Sequence, residues 1–167
     1  MTVLEPFESV CLGEECSSRL CKEMKRELSF FSFLSAADLE AVSAYFNCRT
    51  VMARTNLWTA GDPSDYVAFI ISGRVQIKVD TEFPGKQVVV GVFSRGSVIG
   101  SSCAVDTEPR YTTATVMEDA GLVLITHNSF NRLIADYPEV GTKLLKGMLL
   151  SDSNRLQKAY MRLASIF

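Results

Sequence analysis

The sequence predicts a mainly β domain flanked by helices, an α+β arrangement built around a β-barrel or jelly-roll-like sandwich. Between Cys48 and Thr126, short apolar or alternating runs follow one another, separated by Gly, Pro, Asp and Ser. On either side of that stretch, apolar residues recur at helical spacing instead. The chain has 167 residues, 47% of them apolar and 22% charged, which suits one globular domain with an added helix.

Residues 1–28 read as an N-terminal lead-in that ends in a short helix over 17–28, started by Ser17 or Ser18. The patch Phe30-Phe31-Ser32-Phe33-Leu34 opens a central unit over 29–136 and must find a core. Ser35-Ala36-Ala37-Asp38 resembles a capping box, so a helix follows to about Phe46, with Leu39, Val42, Tyr45 and Phe46 on its apolar face. Strands are expected at 48–52, 55–59, 66–72, 74–80, 86–93, 112–117 and 121–126. The clearest is 74–80, where Val75, Ile77 and Val79 alternate with Arg74, Gln76, Lys78 and Asp80. Gly61-Asp62-Pro63-Ser64, Ser72-Gly73, Pro84-Gly85 and Arg95-Gly96 carry turn chemistry. After Thr126, Asn128 or Ser129 caps a short helix to about Asp136. Residues 137–167 form the last unit, a long helix with Pro138 in its first turn. Leu145, Leu149, Leu156, Ala159, Leu163 and Ile166 make a seam of coiled-coil type along it, broken only by Asp152. Such a seam suits a parallel homodimer or packing on the chain's own roll.

Composition narrows the chemistry. The net charge of −2 argues against a broad basic surface for nucleic acid. One histidine, His127, excludes a site built on several His ligands. No carboxylate pair or nucleophile motif accompanies it, so the chain is not expected to be an enzyme. The first eighteen residues have no basic start or apolar run of a secretory signal, and no apolar run reaches membrane-spanning length. The expected location is cytoplasmic, and the five cysteines read as free thiols. Cys11, Cys16 and Cys21 are weak candidates for a metal or redox site. On a helix, Cys16 and Cys21 would lie about 140° apart and would not converge on one ion.

One stretch has the form of a binding site: Gly96-Ser97-Val98-Ile99-Gly100-Ser101-Ser102-Cys103-Ala104, followed by Pro109-Arg110-Tyr111-Thr112-Thr113. Small residues at 100–104 can form one helical turn with open backbone N–H groups. A guanidinium at Arg110 can grip a phosphate through parallel charge-assisted hydrogen bonds. Ser101, Ser102, Thr112 and Thr113 add hydroxyls. This stretch resembles the phosphate-binding cassette of the cyclic-nucleotide-binding domain superfamily, which includes the catabolite activator and protein kinase A regulatory subunits. Gly61 to Val75 resembles the family's glycine-bounded hairpin, and Phe93 to Gly100 its run-in to the cassette. The likeness covers about Phe30 to Phe167.

The resemblance implies a β-roll flanked by helices, and a ligand site formed by Gly100, Ser101, Ser102, Cys103, Arg110, Tyr111, Thr112 and Thr113. It also marks a departure. The family's cassette normally has Glu after the glycine, where it holds the ribose 2′-hydroxyl; here Ser101 stands there. Losing a hydrogen bond to a charged group costs about 1.5–3 kcal/mol, roughly ten- to a hundred-fold in affinity. Family members that sense other effectors often lack the Glu. Tyr111 occupies a usually small position and either stacks on a base or points outward.

The resulting expectation is a non-enzymatic sensor module with no tightly bound cofactor. It would take cAMP or cGMP as regulatory ligand and signal to an unknown downstream protein through its C-terminal helix. Asn154, Arg155 and Lys158 are polar candidates for covering a base, or simply a solvated helix face. The residues after the long helix leave no helix-turn-helix for DNA, so the chain reads as a stand-alone module or a piece of a longer protein. No membrane partner is expected. Three other readings stand beside this one. They are a cassette repurposed for another effector, a dimeric adaptor with no ligand (Arg110 then pairing with Asp106 or Glu108), and a cysteine-based redox or metal sensor using Cys11, Cys16, Cys21 and Cys48 or Cys103.

Overall fold

The computed structural model describes residues 34–165, so the expected helix over 17–28 and Cys11, Cys16 and Cys21 lie outside the described residues. Helix α1 (Ala36–Val42) starts on the expected capping box. The Ser35 hydroxyl accepts from the Asp38 N–H at 3.1 Å, and the Asp38 carboxylate accepts from the Ser35 N–H at 2.8 Å. A 3₁₀ turn (Ser43–Tyr45) carries the chain into the strands.

Six strands follow: β1 (Asn47–Val51), β2 (Asn56–Trp58), β3 (Tyr66–Asp80), β4 (Gln87–Ser94), β5 (Val98–Ile99) and β6 (Thr113–Thr126). They pair in the order β1-β6-β3-β4, with β2 also on β6 and β5 on β3. Every pairing is antiparallel. The backbone of the roll is the β3–β6 pair, running from Tyr66 opposite Thr126 to Lys78 opposite Thr113.

Two expectations change here. Ser72-Gly73 is not a turn; it is a kink inside one 15-residue strand. Gly73 has φ +78°, and a Cβ there would stand 2.4 Å from the Asp119 carbonyl oxygen, so only glycine lets β3 cross β6 at this point. Register shifts on both sides of residue 73 bend the pair into a roll. The expected strands at 112–117 and 121–126 are likewise one strand, β6.

The kink separates two environments. Before it, Tyr66–Ile71 is buried on both faces, which is why that run shows no alternation. Val67, Phe69 and Ile71 face a core shared with the helices. Tyr66, Ala68 and Ile70 face a second core inside the roll. After the kink one face is solvated, and Val75 and Ile77 alternate inward.

Helix α2 (His127–Asp136) begins at Thr126, whose hydroxyl accepts from the Ser129 N–H at 3.1 Å; neither Asn128 nor Ser129 is the cap. Helix α3 (Pro138–Ala164) has Pro at its start, as expected. Its inner row, Val140, Leu144 and Met148, enters the helix-side core. Lys143 ties it to α1 through Asp38 at 2.7 Å. The seam divides. Leu145 packs partly buried on the core, whereas Leu149, Leu156 and Leu163 are 68%, 51% and 57% exposed. None of the helices described is long and apolar enough to cross a membrane.

Candidate functional site

The site starts at Gly100, which sits in the left-handed region at φ +70° and ends β5. A 3₁₀ turn (Ser101–Ala104) follows, so the N–H groups of Ser101 and Ser102 open it with no carbonyl behind them in the turn. A Cβ at position 100 would lie 2.6 Å from Arg110 Nη1 and 3.3 Å from the Trp58 ring. The glycine is therefore what lets the guanidinium lie against the turn.

Arg110 is pinned first by its backbone. Its N–H donates to the Asp62 carbonyl at 2.8 Å, and its carbonyl accepts from the Gly61 N–H at 2.7 Å. The Gly61–Asp62 turn thus sets where the side chain enters the roll. Arg110 is only 5% exposed. Its guanidinium lies over the Trp58 ring at 4.3 Å and beside the Tyr66 ring at 5.4 Å. Nη2 donates to the Tyr66 carbonyl and Nη1 to the Gly100 carbonyl, the latter at a long 3.4 Å. Nε is buried with no hydrogen-bond partner. Neither Asp106 nor Glu108 pairs with this cation; carbonyls and rings surround it instead, so the turn-stabilising ion pair is absent among the described residues. Burial is the main reason its pKa falls below the ordinary arginine value.

These groups line a cavity of about 620 Å³. Trp58, Ile77, Val79, Val90 and Ile99 give it an apolar wall from the roll. Gly100, Ser101, Ser102, Arg110, Tyr111 and Thr112 give it a polar end. Helix α3 closes one side with Asp152, Arg155, Leu156 and Ala159.

Of the eight expected site residues, these six line the cavity and two do not. The Cys103 side chain is fully buried in the helix-side core, and burial pushes its thiol pKa up. Thr113 is buried, and its hydroxyl accepts from the Ala60 N–H at 3.1 Å, bracing the turn behind Arg110. Tyr111 is 77% exposed at the rim. His127 is a strut. Its Nδ1 donates to the Cys103 carbonyl at 2.7 Å, and its Nε2 accepts from Asn131 at 2.9 Å, which joins the cassette turn to α2. Among the described residues no cluster of three or more His, Cys, Asp or Glu is arranged to hold a metal.

Two site residues were not singled out from the sequence. Trp58 is the aromatic platform beneath Arg110. Asp152 accepts a hydrogen bond from the Ser101 hydroxyl at 2.7 Å. Its signal was the one polar break in an otherwise apolar seam. Arg155, among the polar residues considered for a solvated face, turns inward instead. It donates to the Val98 carbonyl, reaches Asp152 at 3.4 Å and lies over the Phe93 ring at 4.4 Å. Asn154 and Lys158 line a separate groove between β4 and α3.

The family model for the cyclic nucleotide-binding domain matches residues 48–137, which hold all but the first residue of the roll, and the cassette. The chain belongs to the cyclic nucleotide-binding domain family. Patatin-like phospholipase domain-containing protein 6 of Homo sapiens is 32% identical over 95 residues, 57% of this chain but 7% of that protein. The chain thus spans a small part of the curated relatives it matches. A cyclic nucleotide-binding domain from Methylobacillus flagellatus superposes with a TM-score of 0.78 at 20% identity, covering 92% of this chain and 85% of that one. The regulatory domain of Toxoplasma gondii PKA, solved with cAMP, superposes at 0.66 and 15% identity over 79% of this chain and 49% of that one. These structural likenesses establish the β-roll with its flanking helices and long C-terminal helix.

Proposed function

We propose that this cyclic nucleotide-binding domain takes cAMP or cGMP in the cavity between the roll and α3. The cyclic phosphate would lie on Arg110 and the N–H groups of Ser101 and Ser102, and the base would lie along the apolar wall. The observation that carries this is the state of Arg110. A buried cation costs several kcal/mol unless an anion compensates it. Here two carbonyls and two aromatic faces support the guanidinium, and among the described residues no carboxylate pairs with it and Nε has no hydrogen-bond partner. An anionic ligand supplies what the fold leaves out. The Toxoplasma gondii relative, described with cAMP, supports the same choice of ligand.

The role that follows is regulatory and non-enzymatic, in the cytoplasm. Ligand would bias the position of α3, and α3 would carry the output to a protein partner. The exposed leucines of α3 suit a homodimer. Calorimetric titration with cAMP and with cGMP tests the ligand, alongside Arg110→Ala. Micromolar binding that disappears in the variant is the expected result. Absence of heat with both nucleotides, or binding indifferent to the substitution, refutes the proposal.

A further inference from the structure

We infer that Asp152, on the C-terminal helix, is the carboxylate that reads the ligand's ribose 2′-hydroxyl, in place of the acidic residue that Ser101 displaces from the cassette. This rests on the cyclic-nucleotide reading and deepens it.

The geometry sets an anion receptor, Arg110, and a hydroxyl acceptor, Asp152, against consecutive residues of one turn. Arg110 Nη1 reaches the Gly100 carbonyl, and the next residue, Ser101, donates its hydroxyl to Asp152 Oδ2 at 2.7 Å. Both side chains line the same cavity. In a ribonucleoside 3′,5′-cyclic phosphate, the 2′-hydroxyl sits on the carbon next to the one bearing the phosphate. A cation and a carboxylate facing one cavity match that pair of groups.

Asp152 also has the capacity. A carboxylate offers about four acceptor positions. Ser101 takes one, and Arg155 approaches the other oxygen at a loose 3.4 Å. The side chain is 44% exposed, so the carboxylate remains open to a ligand hydroxyl. Arg155 offsets its charge and is itself held by the Val98 carbonyl and the Phe93 ring, which fixes the helix face that presents Asp152. Serine at 101 is the complement of this arrangement: a short donor that orients a carboxylate arriving from elsewhere.

The test compares cAMP and cGMP with their 2′-deoxy counterparts, by calorimetry, on the wild-type chain, Asp152→Asn and Arg110→Ala. The wild type is expected to prefer the ribonucleotide by about ten- to a hundred-fold. Asp152→Asn is expected to lower ribonucleotide affinity to near that of the deoxy form and leave the deoxy form unchanged. Melting curves of the variant confirm that α3 is intact. Full ribonucleotide preference in Asp152→Asn overturns the inference. So does Arg110-dependent binding with no such preference in the wild type. Tighter binding of both forms by Asp152→Asn also overturns it, since Asp152 would then be a latch that the ligand must displace. If the wild type binds no cyclic nucleotide, or Arg110→Ala changes nothing, the parent reading falls and this inference with it.

Discussion

Replacing Gly100 by alanine separates the local strain of the cassette from its fit around Arg110. At φ +70° a non-glycine residue costs roughly 1–2 kcal/mol in backbone strain. The added Cβ would then sit 2.6 Å from Arg110 Nη1 and 3.3 Å from the Trp58 ring. The guanidinium is the flexible party and must move. It would give up its contact to the Gly100 carbonyl, worth about 1 kcal/mol at its long 3.4 Å. The total is about 2–3 kcal/mol. Gly85 provides the control. It has φ +77°, and a Cβ there meets nothing within 4 Å. Gly85→Ala should therefore cost only the strain, about 1–2 kcal/mol. Urea unfolding measures both, with unchanged m-values confirming that the same transition is compared. Titration with cAMP then reads the ligand site, where Gly100→Ala should weaken binding at least ten-fold and Gly85→Ala should not. Equal stability losses with equal affinities would show that Arg110 does not depend on the missing Cβ, and the account of the cassette would fail.

Three further outcomes follow from the same geometry. Cys103 is fully buried with its thiol pKa raised, so brief alkylation of the native protein followed by peptide mass spectrometry should leave Cys103 unmodified until urea unfolds the chain; labelling in the native state would contradict its burial. Leu149→Glu and Leu163→Glu lie on the exposed side of α3 and should leave the melting temperature nearly unchanged, while abolishing the proposed dimer in sedimentation; a folding defect would instead place that face against the roll. The Lys143 hydrogen bond, then the Ser35 N–H, hold the Asp38 carboxyl below its ordinary 3.8. A depressed folded-state value stabilises above the unfolded pKa and is lost as pH falls through the folded one. Lys143→Met should therefore lower stability at neutral pH and flatten the acid limb below about pH 4.

The parts of the fold that could be read from the sequence were those with local causes. The capping box at Ser35, the alternation at 74–80 and Pro138 at the start of α3 each act within a few residues, and each stands where expected. The parts that could not be read depend on what lies across the sheet. Ser72-Gly73 has the composition of a turn, and only the approach of Asp119 explains why glycine is needed in mid-strand. Thr126 caps α2 because β6 delivers its hydroxyl to the Ser129 N–H, whereas Asn128 and Ser129 looked equally suitable by type. The cassette showed the same division. Its small residues and Arg110 were visible as a motif. Which of them face the cavity was not, because Cys103 and Thr113 turn toward the packing on either side.

Asp152 and Arg155 illustrate why a helix face cannot be assigned from its own spacing. Asp152 stood as a polar break in an apolar seam and Arg155 as part of a solvated face, and both are claimed by the roll. The first half of the helix is anchored by Val140, Leu144 and Met148 in the core. Beyond Met148, the hydrogen bonds that join α3 to the roll among the described residues are those of Asp152 to Ser101 and of Arg155 to Val98. Both lie at the cavity. The distal half of α3 is therefore held by polar contacts to the site, with Leu156 at the cavity and Leu149 and Leu163 left outward. A ligand shifts a conformational equilibrium only by the difference in its affinity for the two states. In this chain that difference can be concentrated in a few groups. On the proposed binding mode, a ligand hydroxyl on Asp152 would join the Ser101 contact that positions the helix, so occupancy and helix placement would share one hydrogen-bond network rather than communicating across the core.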